Sequence, residues 1–340
     1  MTAKQSAPQV GPILDSTLRD GRYLGNWSND LTVTLVTQLD KCGITGIEIG
    51  PELGLGDTSS RRFESRDLIF EDIANAQSAK SKSLIGAFFI PGIGIRGDLV
   101  RAKDCGLDFI RIGQNPANWI STIEFIEISL SLGLRVFFNL MKSHLVSPRE
   151  FAEIARQLSD LPLDGIYLVD STGTFTPDDV RAYISEARES THHALGFHGH
   201  DNLGLAHANS ITAWKYGALH VDGTLGGMGR CGGNAATERL SGLTKRLGLA
   251  GQIDTQWLCQ LSIELGNQTN KYSQESIYLG LICGVFGFHS SWLTSVREVA
   301  DQFGIAYDQL IEQVAAKNRE NPSRELFELT ASEIAASLNV

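Results

Sequence analysis

His198 and His200 stand two residues apart at the end of an apolar run that begins at Ala194-Leu195. Side chains alternate between faces in an extended strand, so both imidazoles point the same way and can share one object, for which a divalent metal is the first choice. A histidine in an apolar strand also serves as a hydrogen-bonded core residue, and an H-x-H pair alone does not separate the two uses. What shifts the balance lies near the other end of the chain, where Arg19 and Asp20 follow the short apolar run Pro12 to Thr17. One carboxylate and two imidazoles on one side of an ion leave positions open for water and a chelating substrate.

Such distant residues meet only if the fold closes on itself, and the spacing of the elements predicts that it does. Eight apolar, partly β-branched runs occur at 12–17, 45–49, 83–89, 108–112, 134–139, 165–170, 195–200 and 219–224. Helix-like stretches separate them. Asn29-Asp30, Ser147-Pro148 and Thr176-Pro177-Asp178-Asp179 open three of these, and Gly43, Gly106, Gly133 and Gly217 close four. Eight βα units make a closed (β/α)8 TIM barrel, an α/β fold. An open doubly wound sheet would want a glycine-rich phosphate loop after its first strand, where this chain has Thr17-Leu18-Arg19-Asp20-Gly21. After about Gly251 the strand pattern ends, and helices are predicted at 254–268, 275–285, 289–303, 306–318 and 325–338. Residues 1–250 thus form the barrel and 251–340 a C-terminal helical domain, docked rather than tethered because no low-complexity linker joins them.

Active sites of this fold sit at the carboxyl ends of the strands, and inward residues of alternate strands share a layer. Strand one is expected to end at Arg19-Asp20 and strand seven at His198-Gly199-His200, and the two flank strand eight, so Asp20, His198 and His200 can converge. Asn234, in the glycine-lined stretch Gly226 to Asn234, either adds a carbonyl ligand or holds a ligating water, unless that stretch is only a tight connection. Glu48 and Asp170 end strands two and six within reach of the mouth, as partners for a ligand or for Arg19. Arg111 on strand four either pairs a substrate carboxylate or is a barrel-layer arginine bound to Glu48 or Asp170. Ser171 and Thr172 can donate hydrogen bonds to substrate.

Composition narrows the function classes. A net charge of −10 argues against a nucleic-acid or anionic-membrane surface as the main partner. No apolar run is long enough to span a bilayer, and Met1 to Gln9 is polar and unlike a secretory signal. Five scattered cysteines without a C-x-x-C pair fit reduced thiols in a cytoplasmic protein.

Three stretches also carry a family resemblance. Asp15-Ser16-Thr17-Leu18-Arg19-Asp20-Gly21, His198-Gly199-His200-Asp201-Asn202-Leu203-Gly204, and Gly227-Met228-Gly229 through Gly232-Gly233-Asn234-Ala235-Ala236-Thr237-Glu238 resemble, in order, the signatures of the DRE-TIM metallolyase superfamily. These barrel lyases and synthases include 4-hydroxy-2-oxovalerate aldolase, hydroxymethylglutaryl-CoA lyase and isopropylmalate synthase. The resemblance covers roughly residues 8 to 250 and is closest to the 4-hydroxy-2-oxovalerate aldolases, whose communication domain the tail resembles more distantly at Gly287-Phe288-His289-Ser290-Ser291-Trp292. It implies Mn²⁺ or Mg²⁺ on Asp20, His198 and His200, with Arg19 stabilising the enolate of a 2-oxo acid such as pyruvate. It also implies an aldehyde or acyl co-substrate, a homo-oligomer, and an aldehyde dehydrogenase as partner.

The chain departs from those aldolases at two positions. Where they keep a basic histidine two residues after the Asp-Gly pair, this chain has Tyr23; where their tail has a tyrosine before Ser-Ser, it has His289. Either His289 transfers the proton with Tyr23 orienting it, or Tyr23 acts itself, or both shape a different pocket. Tyr23-Leu24-Gly25-Asn26-Trp27 is expected at the substrate pocket. Cys231 falls where the hydroxymethylglutaryl-CoA lyases keep a reactive cysteine, with Arg230 beside it to lower the thiol pKa or to meet an anionic substrate. An acyl-CoA lyase or condensing enzyme is therefore one alternative, and a non-catalytic barrel partnering a dehydrogenase another.

Overall fold

Eight parallel strands pair in sequence order and close on themselves: β1 (Ile13–Asp15), β2 (Gly46–Ile49), β3 (Leu84–Phe89), β4 (Phe109–Gln114), β5 (Arg135–Leu140), β6 (Gly165–Asp170), β7 (Leu195–Gly199) and β8 (Ala218–Gly223). Closure is made by β1, which pairs with β2 through Leu14 and Gly46 and with β8 through Leu14 and Asp222. The computed structural model describes residues 10–24, 27–59, 62–249, 252–267, 269 and 273–338. Met1 to Gln9, and Gly25-Asn26 of the stretch expected at the pocket, lie outside the described residues.

The helices α1 (Asn29–Lys41), α2 (Arg66–Ala79), α3 (Arg96–Asp104), α4 (Ile123–Ser131), α5 (Pro148–Gln157), α6 (Pro177–Ser190), α7 (Ala206–Tyr216) and α8 (Thr237–Leu247) follow the strands in turn. Their starts obey capping chemistry. Ser147 and Thr176 each form a reciprocal capping box, with Glu150 and Asp179, ahead of a proline in the first turn. The first helix is capped one residue earlier than expected, by the Ser28 hydroxyl. Gly43, Gly106, Gly133 and Gly217 all take the left-handed conformation just past a helix.

Strand β1 is shorter than the apolar run that announces it. The Asp15 carboxylate accepts the Thr17 N–H at 3.0 Å and the Thr237 hydroxyl at 2.5 Å, and the Arg19 and Asp20 N–H groups both bond back to Ser16. Arg19 and Asp20 therefore lie in a tight turn leading into the 3-10 helix Asp20–Leu24, not on the strand itself.

Five helices follow the barrel: α9 (Thr255–Gly266), α10 (Gln274–Phe286), α11 (Leu293–Phe303), α12 (Tyr307–Asn318) and α13 (Arg324–Leu338). Leu258, Leu261 and Leu265 of α9 join the core between the barrel and its helices, whereas α10–α13 surround a second core that includes Phe288, Val296, Leu310 and Phe327. The predicted helix at 289–303 begins instead as a 3-10 turn, Ser290–Trp292, because Gly287 ends α10 in the left-handed conformation. Among the described residues, no helix is long and apolar enough to cross a membrane.

Candidate active site

Asp20, His198 and His200 come together at the carboxyl ends of the strands, with one potential ligand atom from each lying within 4.8 Å of the others. All three are buried. Strand β7 delivers His198, and His200 follows one residue beyond its end, where its backbone bridges to Asn234. The Asn234 amide donates to Asp20 Oδ2 at 2.9 Å and to the Met228 carbonyl at 2.8 Å, so it orients the carboxylate directly. Asp20 Oδ1 and Asn234 Oδ1 are buried with no hydrogen-bond partner. Buried oxygens of this kind are normally satisfied. Two orphan oxygens beside two imidazoles are a donor set that a divalent cation would complete.

The electrostatics favour ligand forms of these groups. Burial alone would push the Asp20 carboxyl up, but Arg19 above all, with His200, His198 and Arg230, holds it well below the usual carboxylate range. Burial pushes His200 down to about 3 against the pull of Asp20, so its imidazole is neutral at pH 7. His198 Nδ1 contacts Asp222 Oδ2 at 2.8 Å, which assigns the proton to Nδ1 and leaves Nε2 as the lone pair beside Asp20, 3.6 Å away.

Asp222 begins a chain of ion pairs inside the barrel. It accepts from Arg111 at 2.5 Å; Arg111 also donates to Glu48 at 3.0 Å; and Glu48 accepts from Arg19 Nε at 2.9 Å. Glu48, Arg111 and Asp222 come from strands two, four and eight and form one polar layer below the mouth. Arg111 is therefore the barrel-layer arginine of the two readings, with Asp222 rather than Asp170 as its second partner. Neither Arg111 nor Glu48 lines the cavity. Together they fix Arg19, whose guanidinium lies 5.0 Å from the Phe88 ring and whose Nη2 has no protein partner among the described residues.

A cavity of about 270 Å³ opens above this layer, walled by Arg19, Asp20, Tyr23, His198, His200, Arg230 and His289 among others. Tyr23 and His289, from opposite ends of the sequence, line the same space. The turn that carries His289 is held over the mouth because α10 lies directly on the loops after β7 and β8. A Cβ on Gly280 would come within 2.9 Å of Cys231 Cβ, and one on Gly284 within 3.0 Å of the Leu203 side chain, so both positions need glycine for that approach. Ser291 donates its backbone N–H to His289 Nδ1 at 3.2 Å, and its hydroxyl lies 2.7 Å from the same atom. This makes Nδ1 an acceptor and places the proton of the neutral ring on Nε2. Burial, reinforced by Arg230 and Lys142, lowers His289 well below the ordinary histidine value.

A model of the HMGL-like family matches residues 12–264. The chain belongs to the HMGL-like family. It is similar to the oxaloacetate decarboxylase of Mycobacterium tuberculosis, with 33% identity over 93% of each chain. It is also similar to the 4-hydroxy-2-oxovalerate aldolase of Geobacillus genomosp. 3, with 30% identity over 86% of this chain and 88% of that one. Among solved structures, the N-terminal domain of a proposed aldolase from Bacteroides vulgatus shares the fold, with a TM-score of 0.71 at 24% identity over 88% of this chain and 99% of the other.

The HMGL-like barrel places other expected residues away from the cavity wall. Asp170 accepts the Thr174 and Phe175 N–H groups at 3.0 Å each and shapes the loop after β6. The Thr172 hydroxyl lies 3.4 Å from His144 Nδ1. Cys231 is buried in the core shared with α10–α13, and burial raises its thiol. Arg230, the residue before it, lies on the wall with its guanidinium 5.1 Å from the Tyr23 ring. Sequence reasoning missed Asp222 and the wall residues Glu52 and Lys142. Only Asp222 left a signal, as a carboxylate in an apolar run.

Proposed function

We propose that this chain is a divalent-metal-dependent carbon–carbon lyase of 2-oxo acids, with the pyruvate enolate as the common product of bond cleavage. The observation that carries the reading is the buried cluster of Asp20, His198 and His200 in one cavity with Arg19. When bound there, Mn²⁺ or Mg²⁺ would supply Lewis-acid stabilisation to an enolate formed from the 2-oxo group. Asn234 keeps the Asp20 carboxylate turned to the site, and Asp222 keeps His198 in the ligand tautomer. Arg19, held by Glu48, presents preorganised donors to developing oxyanion charge. A non-catalytic subunit would have no use for this set. The burial of Cys231 in the tail core supports the 2-oxo acid reading over an acyl-CoA lyase with a reactive thiol.

In aldol cleavage the C3–C4 bond breaks, its electron pair passes into the enolate, and the C4 hydroxyl loses its proton as the carbonyl of the aldehyde forms. Decarboxylation of a 2-oxo acid whose C4 is a carboxylate breaks the same C3–C4 bond, leaves its electron pair in the enolate and releases CO₂ without that proton transfer. A decarboxylase is the second reading, favoured by the protonation of the wall. Burial raises the Tyr23 phenol despite Arg230, and His289 presents Nε2–H, so both groups are donors at neutral pH.

The test is pyruvate release from oxaloacetate and from 4-hydroxy-2-oxopentanoate, with Mn²⁺ and after chelation. Metal-dependent release from either substrate supports the lyase; no release from both overturns it. All five cysteines are unpaired, which supports a reducing, cytoplasmic setting.

A further inference from the structure

The part of the cavity wall beneath the helical tail is rich in hydrogen-bond donors. Lys142 is held there with a left-handed backbone, φ 50°, a strained state for a residue with a Cβ. Its ammonium lies 6.0 Å from the Trp292 ring and donates to the Glu320 backbone carbonyl at 3.4 Å. Arg230 stacks on Tyr23, and its Nε is buried without a hydrogen-bond partner. Among the described residues neither cation has a carboxylate oxygen within 4 Å, although Glu320 acts on Lys142 and Arg230 on Asp20 from farther away. Burial lowers Lys142 and His289, with Arg230 adding to the first and both cations to the second, so the three stand close together. Beside them are the Tyr23 phenol and His289 Nε2–H.

The other charges on the wall have partners or another use. Arg19 belongs to the balanced network of two guanidiniums and two carboxylates with Glu48, Arg111 and Asp222. Asp20 faces the metal site. Glu52, the remaining carboxylate on the wall, acts on Arg22 and Tyr23. An apolar substituent placed against Lys142, Arg230, Tyr23 and His289 would desolvate four donors and satisfy none, which is costly. A carboxylate has only acceptors to offer and can engage an ammonium and a guanidinium together.

We infer that this chain recognises 2-oxo dicarboxylic acids, the 2-oxo acid end lying at Asp20, His198, His200 and Arg19 and the second carboxylate at Arg230 and Lys142. This rests on the lyase reading above and names its substrate class. It also gives Tyr23 and His289 one shared task, as neutral donors flanking that second carboxylate.

The test is calorimetric titration of the full-length protein in saturating Mn²⁺ with pyruvate, 2-oxoglutarate and 2-oxopentanoate. The last two have the same chain length and differ in a terminal carboxylate against a methyl group. The expected result is at least tenfold tighter binding of 2-oxoglutarate, with the gap closed in Arg230→Met and in Lys142→Met. Equal affinities in the unaltered protein, or a gap that survives both substitutions, would overturn the second-carboxylate site; metal-dependent binding of pyruvate would then leave the lyase reading standing. If none of the three binds, both readings fall.

Discussion

Asp222 shows how a residue that touches no substrate can govern the site. Its carboxylate holds the His198 tautomer on one side and a buried arginine on the other. Asp222→Asn should therefore lower Mn²⁺ affinity by about 10- to 100-fold while the fold persists, as read by calorimetry beside circular dichroism; unchanged affinity would remove Asp222 from the account. Tyr23 and His289 call for a paired comparison of oxaloacetate decarboxylation with aldol cleavage. In Tyr23→Phe and His289→Ala, aldol cleavage should fall by about 10²- to 10⁴-fold if either group moves the hydroxyl proton, whereas a task confined to the second carboxylate should weaken oxaloacetate binding and leave aldol cleavage of 4-hydroxy-2-oxopentanoate intact. Full aldol activity in both variants would show that neither does. The two histidines of the buried cluster were legible in the sequence because an H-x-H spacing survives as a local pattern. The Glu48–Arg111–Asp222 layer was not, because its members lie on strands two, four and eight and only barrel closure makes them neighbours.

At the level of elements, alternation of apolar runs with capped helices placed all eight strands, since glycine stops and Ser/Thr starts are local chemistry. Asp20 was assigned to a strand end because hydrophobicity does not register a turn made by Asp15 catching the Thr17 N–H. The tail was legible as helices but not as a lid over the site. Its docking depends on two glycines of α10 four residues apart, which sequence alone would read as weak spots in a helix. Gly284→Val should force α10 off the loop at Asn202-Leu203 and shift the turn carrying His289. The expected result is a loss of about 1–3 kcal/mol in stability, with turnover down by about tenfold or more. Denaturant unfolding and steady-state kinetics read the two effects; wild-type turnover would show that α10 does not position the site.

Across the whole molecule, burial holds several imidazoles below the ordinary histidine value. His144 is lowered to about 4 by burial, with Arg319 and Lys142 adding to it, and His200 and His289 are lowered as well. The unfolded chain takes up these protons below about 6.5, where the folded chain does not. Stability of the metal-free protein should hold from pH 8 to 7 and then be lost as the pH falls from about 6.5 toward 4, by at most about 1.4 kcal/mol per pH unit for each imidazole, offset in part by Asp15 and Asp170, which burial raises to about 6 and which take up protons in the folded chain over the same range. Urea midpoints across that range check the sign, and a midpoint that rises on acidification would contradict it. The barrel, its polar layer and the docked tail together serve one claim, that Asp20, His198, His200 and Arg19 make a pyruvate enolate. Exchange of the pyruvate methyl protons in D₂O, followed by NMR, tests it most directly. The account predicts exchange that requires Mn²⁺ and disappears in His200→Ala; exchange no faster than without metal, in protein shown to bind Mn²⁺, would contradict it.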